Sequence, residues 1–284
     1  MSKVIPKMAG VCGWPIHHSL SPQLHSYWLK EMGIAGAYVP FAVRPDEAVR
    51  AFKSLKRTSI SGVNVTIPLK KLAFEAADET TEEAAKLGVA NCLFKRDGKL
   101  IAHNTDMAGF TTPLIRAAGP SHIQNMPAVI YGTGGASRAV IGALLAMQCP
   151  EIRLCGRTDS KALDMASDVN APNLYAVPWA KRHDIMRGAG LIINASAGGM
   201  KGRPVLDVKL DKAEDNAIIY DLIYTPIITP FIKSGQERGL KTIGGLDMLI
   251  EQARPSFLRF FGTTPPHDLD PAPLLKRLLK DPSA

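Results

Sequence analysis

Short apolar runs alternate with stretches of helical spacing along this chain, and loops rich in glycine and proline separate them. In the first third, residues 4–12, 38–43 and 62–67 read as strands, the last ended by Pro68. Helical patterns fill the gaps over 22–32, where Leu24, Trp28 and Leu29 share a face, and over 45–55. A longer pattern rich in Ala and Glu predicts one helix over 69–87. Residues 90–94 and 100–103 then flank Arg96-Asp97-Gly98-Lys99, which has the composition of a hairpin turn. Further on, 127–131, 152–155, 191–194 and 217–223 are nearly all apolar, as parallel strands covered on both faces should be. Helical patterns over 136–147 and 160–169 follow the first two of these strands, another spans 245–261, and a short C-terminal helix comes last. The alternation predicts an α/β protein with a doubly wound parallel sheet in its second half.

Composition supports a folded, soluble chain. The 284 residues are 46% hydrophobic and 21% charged, ordinary for globular proteins and long enough to bury a core without staples. Cys12, Cys92, Cys149 and Cys155 are scattered without metal-ligand spacing, so reduced thiols and no metal are expected. The first residues lack the apolar stretch of a signal peptide. The most apolar run, 217–232, is broken by Asp221, Pro226 and Pro230, so no membrane span is expected and the protein reads as cytoplasmic. A net charge of +8 and a pI near 9.3 raise the question of nucleic acid. The basic residues are spread along the chain and not interleaved with aromatic ones, which argues against it. A positive field that steers small anions and an ordinary solvated surface both remain open.

One segment has the chemistry of a dinucleotide site. Val129-Ile-Tyr-Gly132-Thr-Gly134-Gly135-Ala136-Ser-Arg138 places a glycine turn between a strand and a helix. Gly132 permits the turn, and Gly134 lets backbone approach a pyrophosphate at the helix start. The spacing is not that of the six-residue fingerprint, and a plain strand–helix turn would also explain it. The next strand, however, ends before Gly156-Arg157-Thr158, with Lys161 just beyond. An acid at that place would read a ribose hydroxyl and favour NAD. Arg157 and Lys161 offer positive charge instead, which favours NADP, unless both are merely surface residues. Asp159 lies beyond the strand end and is not read as the ribose acid.

Four more segments complete a pattern: Gly13-Trp-Pro-Ile-His17-His18-Ser19-Leu-Ser21-Pro22, Asn64-Val-Thr66-Ile-Pro68-Leu-Lys70, Asn104-Thr-Asp106 and Gly245-Leu-Asp247-Met-Leu-Ile-Glu-Gln252. In this order, around the glycine turn, they resemble the shikimate dehydrogenase family over nearly the whole chain. The resemblance implies reversible NADPH-dependent reduction of 3-dehydroshikimate to shikimate, on the route to chorismate and the aromatic amino acids. It implies a substrate domain over 1–106, completed by C-terminal helices over 245–284, and a Rossmann-like NADP-binding domain over 107–244. The active site is expected in the cleft between them. Lys70 and Asp106 would be the catalytic pair. Ser19 and Ser21 would bind the substrate carboxylate with Tyr224 nearby, and Thr66, Asn91, Asp106 and Gln252 would hold its hydroxyls. Gly132, Gly134, Gly135, Ala136, Arg157, Thr158, Lys161, Ser196 and Gly245 would line the cofactor. The partners implied are small molecules, with the protein a monomer or homodimer.

The chemistry agrees with these residue types. Hydride transfer to a ketone leaves an alkoxide-like oxygen that must be stabilised and protonated, and an ammonium such as Lys70 can do both. A carboxylate such as Asp106 can orient that ammonium. Two hydroxyls in a Ser-x-Ser loop can donate to a carboxylate without burying another charge. His17 and His18 read as loop scaffold. The chain departs from the family pattern at Met107 and Asp247, where glycine is usual, at Gly156, where asparagine is usual, and at Ser196-Ala197, where Thr-Ser is usual. Quinate or aminoshikimate oxidation stays open as an alternative, as does a ligand-binding relative with little turnover.

Overall fold

The computed structural model describes residues 6–280. Residues 4 and 5, with which the first expected strand begins, lie outside them. The chain divides into two compact units, one made of residues up to Asp106 with those from Leu249 onward, the other of Met107–Met248.

In the first unit, β1 (Lys7–Gly13), α1 (Ser21–Glu31), β2 (Gly36–Ala42), α2 (Ala48–Ser54), β3 (Ile60–Val65), α3 (Lys70–Ala76), β4 (Glu79–Thr80), α4 (Glu82–Leu87), β5 (Cys92–Arg96) and β6 (Lys99–His103) follow in order. They form a mixed six-stranded sheet in the order β2-β1-β3-β5-β6-β4. Parallel neighbours β1 and β3 bring the ends of two loops to one sheet edge, while β5 and β6 are the expected hairpin. Asp97 and Gly98 both take positive φ at its tip, which suits the right-handed twist of the paired strands. Val63, Val65, Leu69, Ala73, Leu93 and Leu100 pack the core beside this sheet.

The single helix expected over 69–87 is two helices separated by an edge strand. Ala and Glu favour helix, but tertiary bonds override that preference between α3 and α4. The Asp78 carboxylate accepts from Leu100 N–H at 2.8 Å and from Lys56 Nζ at 2.9 Å. Glu79 and Thr80 then pair with Ile101 and Ala102. Thr81 restarts the helix, its hydroxyl accepting from the Ala84 N–H.

The second unit continues with α5 (Asp106–Ala118), α6 (Pro120–Asn125), β7 (Ala128–Tyr131), α7 (Gly135–Ala146), β8 (Ile152–Cys155), α8 (Asp159–Val169), β9 (Leu174–Val177), β10 (Leu191–Asn194), β11 (Ile218–Asp221), α9 (Pro230–Glu237), β12 (Lys241–Ile243) and the start of α10 (Gly245–Phe261). All its strands are parallel, in the order β9-β8-β7-β10-β11-β12. This is a doubly wound, Rossmann-like sheet whose direction of winding reverses between β7 and β10. The four central strands β7, β8, β10 and β11 are almost wholly buried, which explains their unbroken apolar character.

The remainder of α10 and α11 (Ala272–Lys280) return to the first unit. There Trp28 Nε1 donates to Leu269 O at 3.0 Å, and Arg254 Nη1 donates to the carbonyls of Pro265 and Pro266. These bonds fix the proline-rich stretch against α1 and α10. Among the described residues, no helix is long and apolar enough to cross a membrane.

Candidate active site

Lys70 is the first residue of α3, delivered by a turn in which Leu69 N–H bonds to Thr66 O at 2.9 Å. Its own carbonyl accepts from Ala90 N–H at 3.0 Å, so the backbone beneath the side chain is held. Asp106 is the first residue of α5, with its N–H bonded to Asn104 Oδ1 at 3.0 Å. Asn104 in turn donates to Val89 O, tying this helix start to the α4–β5 loop.

The two side chains meet with Lys70 Nζ 2.5 Å from Asp106 Oδ2. The other Asp106 oxygen accepts from Asn91 Nδ2 at 2.7 Å. Side-chain exposure is 16% for Lys70 and 7% for Asp106, so the pair is largely withdrawn from water while the ammonium keeps an open side. A desolvated pair adds little to stability, because the loss of hydration offsets the Coulomb attraction.

A buried polar network fixes Asn91. Its Oδ1 accepts from Thr105 N–H at 2.7 Å, and Gln252 Oε1 lies 3.4 Å from its Nδ2 and 3.3 Å from Thr105 Oγ1. Asn64 donates to Asn91 O at 3.1 Å and to Ser256 Oγ at 2.7 Å, and accepts from the Tyr38 hydroxyl at 2.8 Å. The structure thus brings Lys70, Asn91, Asp106 and Gln252 together. It adds Tyr38, Thr105 and Ser256, whose roles depend on partners far away in sequence. Asn64 was visible as a polar residue inside an apolar strand, though its partners were not.

Thr66 follows β3, its N–H bonded to Cys12 O at 2.9 Å. Its methyl group lies where a side chain on Gly13 would begin, 2.7 Å from an ideal Cβ, so the loop leaving β1 runs close against the loop leaving β3. That β1 loop carries half-buried Ser19 and leads into buried Ser21, the first residue of α1, with Ser21 N–H donating to Ser19 Oγ at 3.3 Å. His17 and His18 are exposed and meet edge to face at 5.6 Å. Partial burial, then the neighbouring His17, lowers the pKa of His18.

In the second unit, Gly132 follows β7 with φ +131, and a Cβ there would lie 2.6 Å from Ala195 O. Only glycine lets the β7 turn approach the loop after β10 this closely. Gly134 caps α7 with extended backbone, and the space where its side chain would stand is open. Gly135 is exposed and Ala136 half-buried at the start of that helix. Arg157, Thr158 and Lys161 are exposed around the N-terminus of α8, and neither cation has an ion-pair partner among the described residues. Arg138, by contrast, pairs with Asp168 at 2.6 Å. Asp159 accepts from Trp179 N–H at 2.7 Å.

Ser196 lies in the loop after β10, where its hydroxyl donates to Asn194 Oδ1 at 2.7 Å. Tyr224 is half-buried after β11, and burial raises the pKa of its phenol. Gly245 opens α10, where a Cβ would come within 2.3 Å of Leu222 O. The departures from the family pattern also find places. Met107 packs against the core of this unit, and Asp247 is exposed in the first turn of α10, where a carboxylate suits the helix dipole. Gly156 faces the Thr133 methyl group, which would stand 2.7 Å from a Cβ. Among the described residues, no group of three or more His, Cys, Asp or Glu is placed to hold a metal.

The sequence and the fold are similar to those of known proteins. Residues 11–93 match the family model described as the shikimate dehydrogenase substrate binding domain. The shikimate dehydrogenase (NADP(+)) of Paracoccus denitrificans is 41% identical over 265 residues, covering 93% of each chain. Shikimate 5-dehydrogenase from Thermus thermophilus, solved in complex with NADP(H) and shikimate, superposes with a TM-score of 0.82 at 31% identity, over 96% of this chain and 98% of that one. The ligand-free 5-ketofructose reductase of a Gluconobacter strain has a TM-score of 0.86 at 25% identity, over 98% and 99% of the two chains.

Proposed function

The chain belongs to the shikimate dehydrogenase family, and from that premise we propose that it interconverts 3-dehydroshikimate and shikimate with NADP, using Lys70 and Asp106 as its catalytic pair. The observation that carries the reading is the short Lys70–Asp106 contact, with Asn91 holding the second carboxylate oxygen. NADPH supplies the hydride when bound. In the direction of reduction, negative charge grows on the former carbonyl oxygen, and the Lys70 ammonium gives it a proton. One O–H bond forms as one N–H bond breaks. In the direction of oxidation, the Lys70 amine takes that proton back. Asp106 keeps the lysine in place, while Asn91 keeps Asp106 from turning away.

Ser19 and Ser21 are assigned the substrate carboxylate, with Tyr224 beside them. Thr66, Asn91, Asp106 and Gln252 are assigned its hydroxyls. The residues of the second unit suit NADP. Gly132, Gly134, Gly135 and Ala136 offer an open helix start for a pyrophosphate. Arg157, Thr158 and Lys161 supply charge and a hydroxyl for a ribose phosphate, and Asp159, the nearby acid, is bonded to the Trp179 backbone. The Ser196 loop and Gly245 are assigned the nicotinamide end. A cytoplasmic, monomeric or homodimeric enzyme completes the reading, in keeping with four free, buried cysteines.

The test is a spectrophotometric one. Purified protein is offered shikimate or quinate with NADP or NAD, and absorbance of the reduced cofactor is followed. Rapid oxidation of shikimate with NADP is expected. Preference for quinate with NAD overturns the specificity, and shikimate binding without turnover overturns the enzymatic role.

A further inference from the structure

The catalytic proposal leaves one buried carboxylate unused. Asp221 ends β11 with no exposed surface, and Asn194 and Thr229, its two side-chain partners, are equally buried. Asp221 Oδ1 accepts from Asn194 Nδ2 at 3.1 Å and from Ile223 N–H at 3.0 Å. Asp221 Oδ2 accepts from the Thr229 hydroxyl at 2.6 Å. Thr229 Oγ1 in turn accepts from Ile232 N–H at 3.1 Å and caps α9.

The Asn194 carboxamide has one permitted orientation in these surroundings. Its Oδ1 accepts from Ser196 N–H at 3.1 Å and from the Ser196 hydroxyl at 2.7 Å. Its Nδ2 donates to Gly198 O at 2.9 Å as well as to Asp221. Rotating the amide by half a turn would set its NH2 against the Ser196 N–H and its oxygen against a carboxylate and a carbonyl. Ser196 Oγ also accepts from Gly198 N–H at 3.0 Å, which closes the loop on itself. On its other side, the loop meets the Gly132 turn, where Ala195 O occupies the space that a Cβ at 132 would need. Strands β7 and β10, which carry these two loops, flank the point where the sheet reverses, the place where open α/β sheets bind ligands.

We infer that Asp221 is a positioning residue for the cofactor: it orients the Asn194 carboxamide, and through it holds residues 195–199 in the shape that receives the nicotinamide end of NADP. This inference rests on the assignment of the Ser196 loop to the cofactor. An acceptor is what the position requires, and a carboxylate at 221 can offer nothing else while ionised. The same group reaches the loop after β11 through Ile223 N–H, so one buried side chain sets the exits of two adjacent strands.

The test compares Asp221→Ala, Asp221→Asn, Asn194→Ala and Ser196→Ala in the full-length protein. Asp221→Ala is expected to raise the KM for NADP at least tenfold; shikimate affinity, measured by calorimetry, should stay within twofold in Asn194→Ala, which leaves the Asp221–Ile223 bond beside Tyr224 intact. Asp221→Asn should recover most of the loss, because its carboxamide oxygen can still accept from Asn194 and Ile223 while the Thr229 hydroxyl turns. Asn194→Ala should match Asp221→Ala, and the double variant should add little. If Asp221→Ala does not fold, Asn194→Ala carries the same expectation. A purely architectural Asp221 would lower the melting temperature of Asp221→Ala with KM for NADP unchanged, and that result overturns the inference. Hydrogen exchange of residues 195–200 with and without NADP separates the two layers. No protection by NADP overturns the cofactor assignment of the loop; protection without any KM effect of Asp221→Ala or Asn194→Ala overturns only the role of Asp221.

Discussion

Lys70 Nζ lies 2.5 Å from Asp106 Oδ2, with both residues at the first position of a helix and both side chains mostly shielded from water. The ammonium is therefore held by Asp106 and has no second hydrogen-bond partner among the described residues. Lys70→Ala should lower kcat by about a thousandfold, within the usual range for loss of a general acid–base group. Shikimate affinity should change only a few-fold, because Asn91, Asp106 and Gln252 stay in place. Steady-state kinetics beside calorimetric titration with shikimate checks this. Equal losses in binding and no defect in rate would remove Lys70 from catalysis.

Asn91 supports both stability and rate. Asn91→Ala strips a hydrogen-bond acceptor from buried Thr105 N–H and a donor from Asp106 Oδ1. An orphaned buried polar group costs roughly 1–3 kcal/mol. Urea unfolding should register a loss of that order, and kcat should fall as Asp106 gains freedom to turn. A variant with wild-type stability and rate would show that Lys70 holds the Asp106 side chain without it.

Much of this architecture could be read from residue order. The alternation of β and α patterns, the Asp97-Gly98 hairpin tip and the unbroken apolar runs of the second sheet follow from local rules. Local rules failed at 69–87, where an Ala- and Glu-rich run is helical by preference, yet Asp78 is bonded to Leu100 and Lys56. The motif residues Lys70, Asn91, Asp106 and Gln252 were legible as candidates and do meet in space. Their supports were not legible. Ser256 lies 192 residues from Asn64, and no periodicity announces such a bond. Asp221 was visible only as an interruption in an apolar run, because its partners sit 27 and 8 residues away, at the end of β10 and at the cap of α9, with no periodicity linking them to it.

Cofactor choice should reside in Arg157 and Lys161, two exposed cations around the start of α8. The double variant Arg157→Ala/Lys161→Ala should raise KM for NADP by on the order of ten- to a hundredfold, since charge-assisted bonds to phosphate are lost. KM for NAD, which lacks that phosphate, should barely move. The NADP advantage of the natural protein should also shrink with added salt, as exposed charges are screened. Parallel loss of both cofactors would place the phosphate elsewhere.

Thr133 and Gly156 form a size-matched pair, since the Thr133 methyl group would stand 2.7 Å from a Cβ at 156. Gly156 has no positive φ, so a substitution there meets only a steric barrier. Gly156→Ala should destabilise by roughly 1–3 kcal/mol through overpacking. Thr133→Ser removes the offending methyl group, so the double variant should regain most of that loss. Thermal or urea unfolding of the four proteins gives the coupling. Strict additivity would mean that Thr133 turns aside without strain.

Burial pushes the Asp221 carboxyl up from 3.8 to about 6, against the lowering effect of its bonds from Thr229, Ile223 and Asn194. The sign for stability follows from where the proton sits. Below about pH 4 both folded and unfolded chains hold it, and burial of the neutral acid carries no charge penalty. As pH rises toward 6, the unfolded chain releases the proton readily while the folded one resists, and that advantage of the acid form is lost. The shift corresponds to about 3 kcal/mol between the two limits. Asp221→Asn does not titrate, so it cancels the contributions of all other groups. The stability of the natural protein relative to Asp221→Asn should therefore fall as pH rises from 4 to 7, and level off above 7. Urea unfolding of both proteins across that range measures the gap. A gap that stays flat, or widens in favour of the natural protein with rising pH, would mean that the Thr229, Ile223 and Asn194 donors outweigh burial at Asp221.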